Sequence, residues 1–370
     1  MSPAGAGLER TVHVDLGERS YPIVIGFDTL AKLGAEVVRR TGATRAMVVS
    51  VPVVGRRYGP AVMRSLKQAG LRARRFDVPE GDRTKNLRQV GKLYEAFLEA
   101  GADRSTVVVA LGGGMVGDLA GFVAATLLRG LPFVQVPTTV LAMVDASVGG
   151  KTAVNLERGK NLVGSFHQPR LVWIDAALLR SLPPRERAAG TAEVVKHAAI
   201  RDAALFERLE RELDRFLALE PEVLVPVLER NCEIKAEVVS RDEREEGLRM
   251  HLNFGHTLGH AIEALRRYRG VLHGEAVSMG MVYAAHRSEE LEYAPAGTAA
   301  RLARLLARAG LPTELPRFPR RAYLGAIGVD KKRREGEVRF VVLRRIGRAE
   351  LVSLTPAQIL PPRRAARAAK

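Results

Sequence analysis

The first 180 residues alternate short apolar runs with helical patterns, and the remainder does not. Runs at 46–51, 73–78, 106–111, 133–136 and 171–175 are separated by amphipathic stretches such as 62–68 and 87–99. Parallel strands need a crossover between them, and the crossover is usually a helix, so this alternation predicts a mostly parallel sheet covered on both faces. Two further runs, 11–15 and 21–25, flank a Gly-Glu-Arg turn and predict a hairpin. Past Leu182-Pro183-Pro184 the chain turns to long amphipathic stretches at 185–200, 203–217, 221–239, 252–267, 275–291 and 298–309. Only 338–343 and 350–353 alternate there like strands. At 370 residues two domains are expected: an α/β domain over 1–180 and an all-helical domain over 181–370.

A hydrophobic fraction of 46% with 27% charged residues argues against disorder. The 58 Lys and Arg against 41 Asp and Glu leave a net charge of +17, spread along the chain rather than gathered in one block. With aromatic residues at 5% there are few platforms for stacking bases. The expectation is therefore a solvated, arginine-rich surface with a few cations reserved for an anionic small molecule, and neither a nucleic-acid nor a membrane partner. The single Cys232 cannot form an internal disulfide, which suits a reducing compartment. The start, MSPAGAGLER, has no apolar core of a signal peptide, and no run approaches the roughly 18 apolar residues of a membrane span. A cytoplasmic location is expected.

The run 106–111 empties into GGGMVGD, where Gly112, Gly114 and Gly117 satisfy the spacing GxGxxG. Glycines let backbone amides approach a pyrophosphate, and the N-terminus of the following helix favours negative charge. The turn follows several strands instead of opening the domain, and no acidic residue stands about 20 positions on, so the ordinary Rossmann fingerprint is incomplete. Asp118 and the segment EGDRTK offer carboxylates for ribose hydroxyls, which favours a Rossmann-like nucleotide-binding domain. In the stretch PTTVLAMVDASVGGKTAVN, the GKT triplet invites an ATP-binding P-loop. That loop needs a glycine where Asp145 stands, so the reading is rejected. Lys151, with Lys160 and Asn161, is instead expected on a flexible loop that presents donors to phosphate or carboxylate groups.

Three stretches, GTAEVVKH, LNFGHTLGH and VLHGEAV, set a carboxylate and imidazoles beside small residues. Three protein N/O ligands with a fourth position open is the usual arrangement of catalytic zinc. Glu193, Lys196 and His197 share one helix face, as do Asn253, His256 and His260. Local sequence leaves open whether His256 pairs with His260 or with His273. In the charge run KAEVVSRDEREEGLR, Lys235 and Arg249 are the members expected to turn inward toward an anion.

Taken in order, GGGMVGDLAGFVAAT, LRGLPFVQVPTTVLAMVDASVGGKTAVN, GKNLVGSFHQP, AEVVKH, NFGHTLGHAIE, LHGEAVSMGM and GVDKK resemble the 3-dehydroquinate synthase family, from about Val12 to about Leu354. The resemblance implies bound NAD, one zinc or cobalt ion, a homodimer, and a substrate cleft between an NAD-binding domain and a helical domain. It implies a reaction in which 3-deoxy-D-arabino-heptulosonate 7-phosphate becomes 3-dehydroquinate and phosphate. NAD would oxidise a ring hydroxyl, phosphate would leave by β-elimination, the ketone would be reduced again, and an aldol step would close the ring.

The same resemblance selects Glu193, His256 and His273 as metal ligands. It assigns Arg129, Lys151, Asn161, Lys196, Lys235, Arg249, Asn253 and His260 to substrate contact, with Asp145 in the pocket and Glu245 by the substrate ring. One of Lys331 and Lys332 would also reach the substrate. NAD contacts would come from Glu80, Gly81, Asp82, Arg83, Thr84, Lys85, Gly114, Met115, Val116, Gly117, Asp118, Thr138, Thr139, Lys151, Lys160, Leu178, Leu179, Arg180 and Ser181. The family's usual DGExxK stands here as EGDRTK, which exchanges the two acids at the expected adenosine-ribose contacts. Two alternatives share this machinery: another sugar phosphate cyclase such as 2-deoxy-scyllo-inosose synthase, whose substrate lacks the carboxylate, and a metal-dependent polyol dehydrogenase, which would accumulate NADH.

Overall fold

A computed structural model describes residues 8–328 and 336–362. Over these residues the chain forms two compact units, residues 8–190 with Arg215–Glu243, and Thr191–Asp214 with residues 244–328 and 336–362. Helix Pro221–Arg241, late in sequence, thus belongs with the first unit, where it packs on the first two strands.

In the first unit the strands β1 (Arg10–Val14), β2 (Tyr21–Gly26), β3 (Arg45–Ser50), β4 (Arg72–Asp77), β5 (Thr106–Gly112), β6 (Phe133–Pro137), β7 (Lys151–Leu156), β8 (Gly159–Phe166) and β9 (Leu171–Asp175) follow one another. Seven of them make one sheet in the order β1-β2-β9-β6-β5-β3-β4. Every pair is parallel except β1 with β2, the expected hairpin. Central β5, TVVVALG, is buried along its whole length, as a strand covered on both faces must be. Edge strand β4, RARRFD, carries arginines that keep its unpaired side from adding another strand.

The strand order decides where a ligand can sit. From β3 the chain steps outward to β4, then returns past β3 to β5 and proceeds the other way, so the direction of winding reverses between β3 and β5. Open α/β sheets bind ligands beyond the carboxyl ends of their strands at such a reversal. The glycine turn after β5 occupies that place.

Helix Pro52–Gln68 is longer than the expected 62–68. Its first half is masked by Gly55, Gly59 and Pro60, which break the apolar periodicity. Both glycines lie beneath the Arg75–Asp77 pair: a Cβ on Gly55 would stand 2.6 Å from Asp77 Oδ1 and one on Gly59 2.4 Å from Arg75 Nη1, so either would push those side-chain ends aside. The stretch around Lys151, expected as a loop, is an antiparallel hairpin in which Lys151 pairs with Phe166. A strand after GKT, where a P-loop would continue as a helix, agrees with rejecting the ATP-binding reading.

The second unit is mainly helical. The expected helix 252–267 is two pieces, a 3₁₀ turn Leu248–Asn253 and helix His256–Leu265, parted by Gly255 at φ 81°. Helices His273–Glu290, Thr298–Arg308 and Arg320–Gly328 follow. The two strand-like runs form a hairpin of β10 (Val338–Arg345) and β11 (Arg348–Leu354) in an otherwise helical unit. Among the described residues, no helix is long and apolar enough to cross a membrane.

Candidate active site

Helices His256–Leu265 and His273–Glu290 lie antiparallel and in backbone contact. A Cβ on Gly280 would stand 2.0 Å from Gly255 O, and one on Gly255 2.7 Å from Met281 N. One turn along, a Cβ on Gly259 would stand 3.3 Å from Val277 Cα. Only glycine permits this approach, and at Gly255 the left-handed φ demands it as well. The pairing brings the imidazoles of His256 and His273 together, ring centroids 5.2 Å apart.

Glu193 comes to them from helix Pro184–Arg201 and is wholly buried. Its Oε2 is paired with Lys196 Nζ, one turn on and equally buried. Its Oε1 has no hydrogen-bond partner. That orphan oxygen faces His256 Nε2 at 3.8 Å and His273 Nε2 at 4.0 Å. A buried carboxylate oxygen without a partner is costly, and an ion held between these three atoms would satisfy it. On this test the residues fit a divalent metal.

The hydrogen bonds of the two imidazoles suit that role, because each engages Nδ1 and turns Nε2 toward Glu193. His256 Nδ1 lies 3.3 Å from the Phe254 carbonyl oxygen, which can only accept, so Nδ1 carries the proton and Nε2 presents its lone pair. Burial, with the charge of Lys196 added, holds His256 well below the usual imidazole pKa and therefore neutral. His273 Nδ1 lies 3.2 Å from Glu263 Oε2, which again leaves Nε2 for an ion. Burial pushes its pKa down, but the hydrogen bond and charge of Glu263, with the charge of Glu193, outweigh this and raise it. A second set, His260, Glu263 and His273, is also close enough to hold an ion. It would leave Glu193 Oε1 without a partner, so the first set is the better one.

His260 stands beside the cluster and is exposed, its ring centroid 5.3 Å from that of His256. Arg249 is buried, and Asn253 Nδ2 donates to Glu245 Oε1 at 2.8 Å, with Glu245 in the left-handed region at φ 63°.

The first unit gathers its own group. Segments 80–85, 112–118, 138–139 and 178–181 follow the carboxyl ends of β4, β5, β6 and β9, all parallel strands of one sheet. Gly117 sits so close to β6 that a Cβ would stand 2.7 Å from Gln135 Oε1. Thr138 N donates to Gly112 O at 3.0 Å, tying two of these segments together. Behind them runs a polar network. Lys85 Nζ bonds Asp118 Oδ2 and Asn161 Oδ1, each at 2.6 Å, while Lys160 Nζ lies 2.8 Å from Asp82 Oδ2. Burial raises the pKa of Asp118 despite Lys85, whereas at Asp82 burial is outweighed by Lys160, Lys85 and Asn155 together, and the pKa is lowered. Elsewhere in this unit Lys235 Nζ bonds both the Asp145 carboxylate and, at 2.7 Å, its carbonyl oxygen. Arg129 is exposed at φ 67°, beside Leu128 at 51°.

Comparison with known proteins gives these arrangements a context. The family model "3-dehydroquinate synthase N-terminal" matches residues 75–189, and "3-dehydroquinate synthase C-terminal" matches 190–333. A 3-dehydroquinate synthase of Pelobacter propionicus is 48% identical over 347 residues, 94% of this chain and 97% of that one. This chain belongs to the 3-dehydroquinate synthase family. Another such synthase, of Nostoc punctiforme, is 46% identical over 352 residues, 94% of this chain and 97% of that one. Among solved structures, 2-deoxy-scyllo-inosose synthase complexed with carbaglucose-6-phosphate, NAD+ and Co2+ superposes with a TM-score of 0.86 at 28% identity, covering 95% of this chain and 98% of that one. A 2-epi-5-epi-valiolone synthase from Streptomyces hygroscopicus with NAD+ and Zn2+ bound gives 0.84 at 27%, covering 93% and 96%.

Within this member of the 3-dehydroquinate synthase family, Glu193, His256 and His273, singled out in the sequence, do converge, but two supporting groups were missed. Glu263 was passed over although it follows His260 by three residues on the same helix, a spacing that signals a shared face. The bond from Lys85 to Asn161 joins two segments far apart in sequence and left no local signal. Lys331 and Lys332 lie outside the described residues.

Proposed function

We propose that this chain is a 3-dehydroquinate synthase, converting 3-deoxy-D-arabino-heptulosonate 7-phosphate to 3-dehydroquinate and phosphate in the shikimate pathway toward aromatic amino acids. One observation carries the reading: in a chain of this family, the wholly buried Glu193 keeps an unshared oxygen opposite two imidazole Nε2 atoms. Glu193, His256 and His273 would hold the divalent ion, zinc or cobalt. The segments at the carboxyl ends of β4, β5, β6 and β9, with Lys151 and Lys160, would hold NAD. When bound, the ion supplies Lewis-acid polarisation of substrate oxygens, and NAD supplies a hydride acceptor that later gives the hydride back.

The chain's own residues divide the remaining work. Arg129, Lys151, Lys235 and Arg249 are cations matched to a phosphate and a carboxylate, which they would grip by charge-assisted hydrogen bonds. Lys196 keeps Glu193 Oε2 occupied, so only Oε1 is presented to the ion. Asn161 and Asn253 supply neutral hydrogen bonds that orient the ring hydroxyls, with Asp145 and Glu245 accepting from them. His260 is assigned to the substrate, since it stands next to the ligand imidazoles while His273 takes the better ligand position. On the same family resemblance we place the protein in the cytoplasm as a homodimer; the lone buried Cys232 is consistent with a reducing compartment.

Phosphate release from the heptulosonate phosphate with catalytic NAD is the direct test. Chelator treatment is expected to abolish it, and added zinc or cobalt to restore it, with no NADH accumulating. Unaltered turnover after verified metal removal would overturn the metal-dependent reading, and net NADH formation would point to a dehydrogenase. Turnover of glucose 6-phosphate in place of the heptulosonate would favour the inosose synthase alternative.

A further inference from the structure

The two imidazoles assigned to the metal are oriented by different kinds of acceptor. His256 Nδ1 faces a backbone carbonyl, that of Phe254, at 3.3 Å. His273 Nδ1 faces a carboxylate oxygen, Glu263 Oε2, at 3.2 Å. Glu263 has a side chain only 9% exposed, and a buried glutamate that does not repay its desolvation through a partner is disfavoured. The helix pairing sets its place. Gly255 lies against Gly280 and Gly259 against Val277, so the next turn of the antiparallel pair brings Glu263 to the start of the facing helix, where His273 is the first residue.

We propose that Glu263 is a positioning residue for the metal centre: it fixes the tautomer and direction of His273 so that Nε2 faces Glu193 Oε1. The inference rests on the metal assignment made above. Its carboxylate engages Nδ1, while Nε2 of the same ring lies 4.0 Å from Glu193 Oε1, so orienting His273 and leaving Nε2 to an ion are compatible. A carboxylate behind a ligand imidazole also raises the basicity of the ligating nitrogen. Glu193 already shares its charge with Lys196, and Glu263 adds a second carboxylate one residue removed from the ion.

Zinc dissociation constants of the full-length protein, measured by chelator competition, test this in Glu263→Ala, Glu263→Gln, His273→Ala and the double variant Glu263→Ala/His273→Ala. Glu263→Ala is expected to weaken zinc binding about 10- to 100-fold. Glu263→Gln should weaken it less, because an amide oxygen still accepts from Nδ1–H. The double variant should bind zinc no more weakly than His273→Ala alone, because Glu263 acts through that ring. The visible spectrum of the cobalt-loaded Glu263→Ala protein should differ from that of the parent. Parent-like zinc affinity in folded Glu263→Ala, or additive losses in the double variant, overturns the proposal. If Glu263→Ala does not fold, Glu263→Met, of similar size but with no oxygen to accept from Nδ1–H, decides: weakened affinity supports the role and parent-like affinity overturns it. Parent-like affinity in His273→Ala would defeat the metal assignment itself, an outcome distinct from failure of Glu263 alone.

Discussion

The cluster around Glu193 and the glycine turn after β5 are built on opposite plans. The first is made of ionisable side chains, wholly or partly buried, and leaves a carboxylate oxygen without a partner. The second is made of backbone at a reversal of sheet winding, and its charges are already paired with one another: Asp118 with Lys85, Asp82 with Lys160. A small, highly charged ion needs donors that nothing else satisfies. A long, flexible dinucleotide is better met by a preformed surface of amides, whose stability does not depend on its arrival. The contrast predicts that substitutions in the first region act chiefly on chemistry, while those in the second cost stability as well as NAD binding.

The strongest test compares two histidines. His273→Ala is expected to lose the metal and lower turnover by roughly 1,000-fold or more, the several kcal/mol a Lewis acid contributes. His260→Ala should retain the metal, by elemental analysis, and still lose turnover. The reverse pattern would exchange the two roles. Next in size is Lys85→Met, which leaves the Asp118 carboxylate without its closest cation. Breaking such a pair should cost about 3 kcal/mol in a denaturant melt. A loss below about 1 kcal/mol would reduce it to the rank of a surface pair and blur the contrast.

The smallest effect concerns pH. Asp82 has its pKa lowered in the fold, where Lys160, with Lys85 and Asn155, outweighs burial, so the pair's contribution is present above the ordinary carboxylate value of 3.8 and fades as pH falls through the lowered one. Lys160→Ala should therefore melt earlier than the parent near neutral pH, by about 0.5 kcal/mol for a half-exposed pair, with the gap closing below pH 3.8. A gap that persists in acid would mean Lys160 acts by packing instead of charge.

Much of the fold was legible because it depends on local periodicity. The buried strands β5 and β9 announce themselves as unbroken apolar runs, and the amphipathic stretch 298–309 becomes Thr298–Arg308 nearly as read. What stayed hidden depends on contacts made at a distance. Gly55 and Gly59 look like helix breakers until Arg75 and Asp77 are seen to need their space. Gly255 splits a helix that periodicity alone runs together, because its φ is left-handed at the point where its backbone meets Gly280. The candidate ligands were readable as residue types in suggestive company, but the choice between His260 and His273 needed a family resemblance. Geometry gives an independent reason through one unpaired oxygen.

The placement of Glu193 has a mechanical consequence. Its partners at 256 and 273 sit on one helix pair, while Glu193 itself belongs to a helix far earlier in the chain. A bound ion would thus close a long loop in the manner of a crosslink, restricting the unfolded chain as well as satisfying the folded one. Loss of the ion would then loosen the protein's resistance to denaturation together with its activity, so that cofactor supply becomes a determinant of how long each molecule survives.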